Sequence, residues 1–184
     1  TNKGIVLRDN FYGTIKEDAF RRDFTINSLY LDINDMKIID YTGGFNDLNN
    51  RELKSIGESK LRFREDPIRV IRAVRFLSKL NLKLKKSLKK DLNNFAHLLR
   101  DIPPARKYEE ILKLFLNGNG KNNFTLLLEL HILKFLLPIT AKQCSNQKNH
   151  LFILTALSNS DVRVKKGLPL TPAFLFSVLL WPAL

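Results

Sequence analysis

Two hydrophobic rhythms divide the chain. Over residues 28–33 polar and apolar positions partly alternate, Asn34-Asp35 supplies a turn signal, and residues 37–41 run Lys-Ile-Ile-Asp-Tyr. Strand-like patterning on both sides of such a turn predicts a β-hairpin. Gly43-Gly44 then breaks the chain, residues 45–48 suit one helical turn, and residues 52–56 read as a further strand ending at Gly57. From Asp66 onward the period lengthens to 3.6, with Ile68, Ile71, Val74, Leu77 and Leu80 on one stripe and Pro67 suited to the first turn. Further helical segments are expected over 86–99, 105–116, 124–130, 133–137, 150–158 and 173–181. Asp101-Ile102-Pro103-Pro104 and Gly118-Asn119-Gly120 act as stops between them. The expected class is α+β, a β-containing part over residues 1–60 followed by an all-helical part over 61–184.

Composition supports a packed core, since 44% of the 184 residues are apolar. Lys and Arg number 31 against 18 Asp and Glu, a net charge of +13. That excess favours a polyanionic partner, because each neutralised phosphate releases condensed counterions. Six lysines fall within residues 79–90, either a solvated helix face or a contact for backbone phosphates. Cys144 stands alone, which excludes an internal disulfide framework and agrees with a reducing, cytoplasmic setting. His97, His131 and His150 lack metal-ligand spacing. No signal peptide is visible and no apolar run reaches ~18 residues, so no membrane role is expected.

Three segments carry candidate chemistry. In Glu65-Asp66-Pro67-Ile68-Arg69, continuing to Arg72, the acid and the arginine are expected on one helix face, three residues apart. The plainest reading is a surface ion pair. The alternative uses the fact that a carboxylate only accepts and a guanidinium only donates. Adenine presents an amino donor beside a ring-nitrogen acceptor, which the pair matches. Cytosine has the same order, whereas guanine and uracil reverse it and would leave both groups unpaired. In Glu17-Asp18-Ala19-Phe20-Arg21-Arg22-Asp23, followed by Thr25 and Asn27, arginine forks suit phosphate oxygens and Asp23 suits Mg²⁺. The plainer reading there is a charged, capped helix N-terminus. In Asp40-Tyr41-Thr42-Gly43-Gly44, the glycines suit a turn, a hinge or a close backbone approach.

Taken in order, these segments resemble motifs of the class II nucleotidyltransferases, the family of bacterial poly(A) polymerases and tRNA CCA-adding enzymes. The resemblance implies that Asp66 and Arg69 read the base edge, with Arg72 as a further nucleotide contact. It places Arg21, Arg22 and Asn27 at the phosphate and ribose end, and Asp23 at a position sometimes assigned to a third active-site carboxylate. The glycine pair corresponds to a flexible region joining head to neck. The segments 7–10 with Tyr12-Gly13, 101–106 with Glu109-Glu110, and 172–176 with Trp181 look more like the bacterial poly(A) polymerases. The activity implied is template-independent addition of AMP from ATP to RNA 3′ ends, by a monomer using Mg²⁺. CCA addition and a noncatalytic RNA-binding remnant are the alternatives.

One departure is large. The family's metal site is an Asp-x-Asp pair on a strand, where alternate residues point the same way, and no Asp-x-Asp occurs here. The expectation is that this pair lies upstream of Thr1 and that the helical part continues beyond Leu184. The chain would then be the C-terminal remainder of a nucleotidyltransferase head with part of its helical neck and body, and would not polymerise alone.

Overall fold

The computed structural model describes residues 13–183. Its class is α+β: one two-stranded sheet in an otherwise helical chain. Two compact units meet in sequence between Phe95 and Ala96. The change of element type expected near residue 60 is therefore not the line along which the chain divides. Helices beyond it are sealed into the first unit by long-range pairing, which composition does not register. The segment 7–10 and Tyr12 lie outside the described residues.

The first unit begins with α1 (Ile15–Arg21), opened by a reciprocal capping box between Thr14 and Glu17. A single 3₁₀ turn over Thr25–Asn27 leads to β1 (Leu29–Asp32), which pairs antiparallel with β2 (Lys37–Asp40) in the register Leu29 to Asp40. Asn34 donates its backbone N–H to Asp32 Oδ1 within the turn. Helix α2 (Gly44–Asn49) follows. Residues 52–56 make only isolated bridges, Phe24 with Ser55 and Glu52 with Lys83, so the further strand expected there is absent among the described residues. Its backbone groups are divided between two partners: Ile56 N–H donates to Asp23 O, while Leu53 N–H donates to Lys83 O.

Helix α3 (Ser59–Glu65) is followed by α4 (Ile68–Leu80) and α5 (Lys86–Phe95). Helix α4 buries Ile68, Val70, Ile71, Ala73, Val74 and Leu77, more than one stripe. Leu80, expected in that stripe, is exposed because the left-handed Asn81 ends the helix beside it. Phe24 is fully buried and meets Phe76 of α4 edge to face at 5.7 Å. That contact anchors the segment after α1 to α4.

The second unit is all helical: α6 (Pro104–Phe115), α7 (Gly120–Glu129), α8 (Leu133–Leu136), α9 (Pro138–Gln143), α10 (Gln147–Lys165) and α11 (Pro172–Leu180). Its core includes Leu114, Phe115, Phe124, Leu127, Ile132, Ile153 and Leu179. Asp161 of α10 accepts from Gly120 N–H and Lys121 N–H, satisfying donors at the start of α7. No helix among the described residues is long and apolar enough to cross a membrane.

Candidate nucleotide site

The sequence breaks helix between α3 and α4 because proline bars the preceding residue from helical geometry. Asp66, the residue before Pro67, has φ −144° and ψ 96°. The acid is thus in the elbow between two helices, and its expected place on one helix with Arg69 is corrected. Asp66 Oδ1 accepts from Ile68 N–H at 3.4 Å and its carbonyl accepts from Arg69 N–H, so it still abuts the first turn of α4. Both side chains belong to buried residues, Asp66 at 7% and Arg69 at 8% exposure.

Arg69 reaches across 46 residues to the segment after α1. Its Nε donates to Asp23 Oδ1 at 3.0 Å. Its NH1 donates to Glu65 Oε2 at 3.0 Å and to the carbonyl of Arg62 at 2.8 Å, and NH2 carries none of these bonds. On the other side of Asp23, Arg72 NH1 stands 2.9 Å from Oδ2 as an ion pair. That approach lacks hydrogen-bond alignment, and Asp23 Oδ2 and Arg72 Nε are both buried without a hydrogen-bond partner. Asp23, Arg69 and Arg72 are thereby brought together.

The other predicted residues serve elsewhere. Arg21 NH2 bonds Asp18 Oδ1 at 3.1 Å, and Arg22 bonds Asp18 Oδ2 through Nε at 3.0 Å and NH2 at 2.7 Å. Tyr30 Oη donates to the same Oδ2 at 2.7 Å. The Tyr30 bond and then the Arg22 bond hold the Asp18 carboxyl below its usual range. Arg21 and Arg22 remain exposed. Asn27 Oδ1 accepts from Phe24 N–H at 3.1 Å, shaping the turn that carries Asp23.

Sequence reading missed Arg62 and Asp18. Asp18 was legible in its spacing of three and four residues from Arg21 and Arg22. Arg62 has no comparable signal: its NH2 donates to the carbonyls of Arg21 at 2.8 Å and Arg22 at 2.6 Å, 41 and 40 residues away. Burial, and then the neighbouring Arg69 charge, hold its guanidinium below the ordinary value.

The glycine pair is held by Asp40. Its Oδ1 accepts from the N–H groups of Thr42, Gly43 and Gly44, and Oδ2 from Phe45. Burial would raise its pKa, but the four donors together lower it. Gly43 has φ +80°, and a Cβ on Gly44 would lie 2.0 Å from the Thr25 carbonyl oxygen. Close approach is therefore what Gly44 provides.

Mg²⁺, which the resemblance implies, does not fit the described residues. Asp23 faces two guanidiniums that repel a divalent cation, and among the described residues no group of three or more His, Cys, Asp or Glu could hold a metal.

A family model described as the poly(A) polymerase head domain matches residues 3–54. Another, described as the probable RNA and SrmB-binding site of polymerase A, matches residues 81–144. Over 181 residues the chain is 42% identical to poly(A) polymerase I of Salmonella typhi, covering 97% of this chain and 39% of that protein. The chain belongs to the nucleotidyltransferase family of poly(A) polymerases and CCA-adding enzymes. Within that family, a CCA-adding enzyme of Lactococcus lactis is 32% identical over 169 residues, covering 84% of this chain and 42% of the enzyme. The crystal structure of the Bacillus stearothermophilus CCA-adding enzyme in complex with CTP matches with a TM-score of 0.67 at 27% identity, covering 91% of this chain and 46% of that one. The chain spans about two-fifths of the length of the curated relatives it matches.

Proposed function

We propose that this chain is the nucleotide-selecting part of a poly(A) polymerase, which adds AMP from ATP to RNA 3′ ends in the cytoplasm as part of mRNA processing. The observation that carries this reading is the contact of Arg69 with Asp23, which joins the arginine-arginine-aspartate block to the elbow holding Asp66. Identity to a poly(A) polymerase over nearly the whole chain supports adenylate over CCA addition.

In this reading the RNA 3′-hydroxyl attacks the α-phosphate of ATP and pyrophosphate leaves. Asp66 accepts from the adenine amino group and Arg69 donates to the ring nitrogen beside it. Arg69 Nε and NH1 are held by Asp23, Glu65 and the Arg62 carbonyl, so NH2 is the nitrogen left for the base. Because both residues are buried, guanine would set acceptor against acceptor at Asp66 and donor against donor at Arg69, and such mismatches give rejection of up to about 10⁴-fold. Arg72, with an unpartnered Nε, is a further nucleotide contact, while Arg21 and Arg22 exchange Asp18 for phosphate oxygens. The metal-holding carboxylates are contributed by parts of the protein outside this chain, and this chain alone does not polymerise.

The test is nucleotide incorporation into an RNA primer by the full-length protein. Arg69→Ala is expected to reduce the preference for ATP over GTP to within about tenfold, because the discriminating donor is gone. Full retention of that preference would refute the base-reading role. A wild-type protein that adds cytidine and adenosine in fixed order would be a CCA-adding enzyme instead.

A further inference from the structure

Arg62 lies on α3, outside the residues that touch nucleotide in the proposed reading. Its side chain is only 17% exposed. One guanidinium nitrogen ties down two successive carbonyls, Arg21 O and Arg22 O, at the end of α1. Such carbonyls have no partner within their own helix and commonly recruit a basic side chain. The other terminal nitrogen donates to Glu65 Oε2 at 3.0 Å, the same oxygen that accepts from Arg69 NH1 at 3.0 Å. The Arg62 backbone carbonyl accepts from that Arg69 nitrogen as well. The Arg62 side chain is thus bonded to the segment that delivers Asp23 and to Glu65, one of the three groups that orient Arg69, while its own carbonyl is another.

Capping alone does not account for this choice of residue. A neutral donor such as glutamine could reach a carbonyl without placing a second cation near Arg69, and the Arg62 Nε is buried with no partner. What an arginine adds is a planar fork that fixes two directions at once, here toward α1 and toward Glu65. Fixing both sets the angle at which the remaining Arg69 nitrogen is presented. Errors of about 1 Å in such a geometry cost on the order of a hundredfold in rate.

We propose that Arg62 is a positioning residue for base selection: it holds Arg69 at the angle that distinguishes adenine from guanine without itself contacting the nucleotide. This rests on the reading of Asp66 and Arg69 as the base-reading pair. The test uses the full-length protein with an RNA primer, measuring kcat and KM for ATP and for GTP together with the melting temperature. Arg62→Met keeps the aliphatic stem and removes every side-chain polar bond while leaving the backbone carbonyl on Arg69, Arg62→Gln keeps one donor without charge, and Arg62→Lys keeps the charge without the fork.

Arg62→Met is expected to lower the ATP over GTP preference at least about tenfold, through KM for ATP more than through kcat. Arg62→Lys and Arg62→Gln should fall between it and the wild type, and they carry the test if the methionine variant does not fold. A lower melting temperature with base preference intact in the folded variants would make Arg62 a structural tie only and overturn the proposal. If the wild type selects ATP and Arg69→Ala loses that selection while the Arg62 variants keep it, this inference alone fails. If the wild type shows no preference for ATP over GTP, the functional reading fails and takes the inference with it.

Discussion

Replacing Asp23 by alanine removes the carboxylate that faces two arginines. The side chains of Asp23 and Arg69 are 8% and 10% exposed, so their 3.0 Å pair is shielded from water. Breaking a buried pair by deleting one partner costs about 3–5 kcal/mol, most of it from the charge left behind. The second leg, to Arg72, is weaker because that side chain is 33% exposed and can turn to solvent. Arg69 also retains Glu65 and the Arg62 carbonyl. These partners put the expected loss at the lower end, ~3 kcal/mol, or a fall of about 6–12 °C in melting temperature for a chain of this size. The assay is urea denaturation of the purified protein with Asp23→Ala, Arg69→Met and the double variant. If the uncompensated charge dominates, the double variant is more stable than Asp23→Ala alone, with a coupling of at least ~1 kcal/mol. A loss below ~1 kcal/mol for Asp23→Ala, or strict additivity of the two changes, would refute the argument from burial.

The glycine pair and its carboxylate give two further expectations. Gly44→Ala drives a Cβ to 2.0 Å from the Thr25 carbonyl and should cost at least ~2–3 kcal/mol, whereas Gly43→Ala meets no atom and should cost only ~1 kcal/mol of left-handed strain, both read as shifts in the urea midpoint. Asp40 has a folded pKa below its unfolded value, so its contribution is fully present above about pH 4 and is lost as pH falls through the folded value. Asp40→Asn should therefore lower stability at pH 7 and flatten the acid limb of a midpoint-against-pH profile, and an unchanged acid limb would exclude that assignment.

The elements legible in the sequence were those whose pattern is local. The hairpin showed in the turn signal at Asn34-Asp35 and the patterning beside it, and α4 in its apolar period from Ile68 to Leu77. Helix α3 was missed because seven residues of mixed charge carry no period, and α10 runs to Lys165 well beyond the apolar stretch that announced it. Its polar second half is held by contacts no local pattern encodes, among them Asp161 on the start of α7. The same division runs through the site. Asp23, Arg69 and Arg72 were found as residue types in a familiar order, but their meeting across 46 residues depends on Phe24 packing against Phe76. The displacement of Asp66 from the helix was readable, since Pro67 forbids helical geometry before it. The hold of Arg62 on two carbonyls some 40 residues away was not.

The energetics of the elbow fit the proposed role of its charges in recognition better than a role in cohesion. Apolar groups of matched volume in place of a buried ion network are often neutral or more stable by about 1–4 kcal/mol. Phe24 and Phe76 already join the same two segments with no polar group to satisfy. Yet the elbow keeps Asp23, Arg69 and Arg72 in contact and leaves Asp23 Oδ2, Arg62 Nε and Arg72 Nε buried without hydrogen-bond partners. Each such atom costs about 1–3 kcal/mol. A core under selection for stability alone would shed them. Kept in place, they form a rigid polar frame whose orientation is settled before a ligand arrives, and that is the condition under which one misplaced base edge becomes expensive enough to be refused.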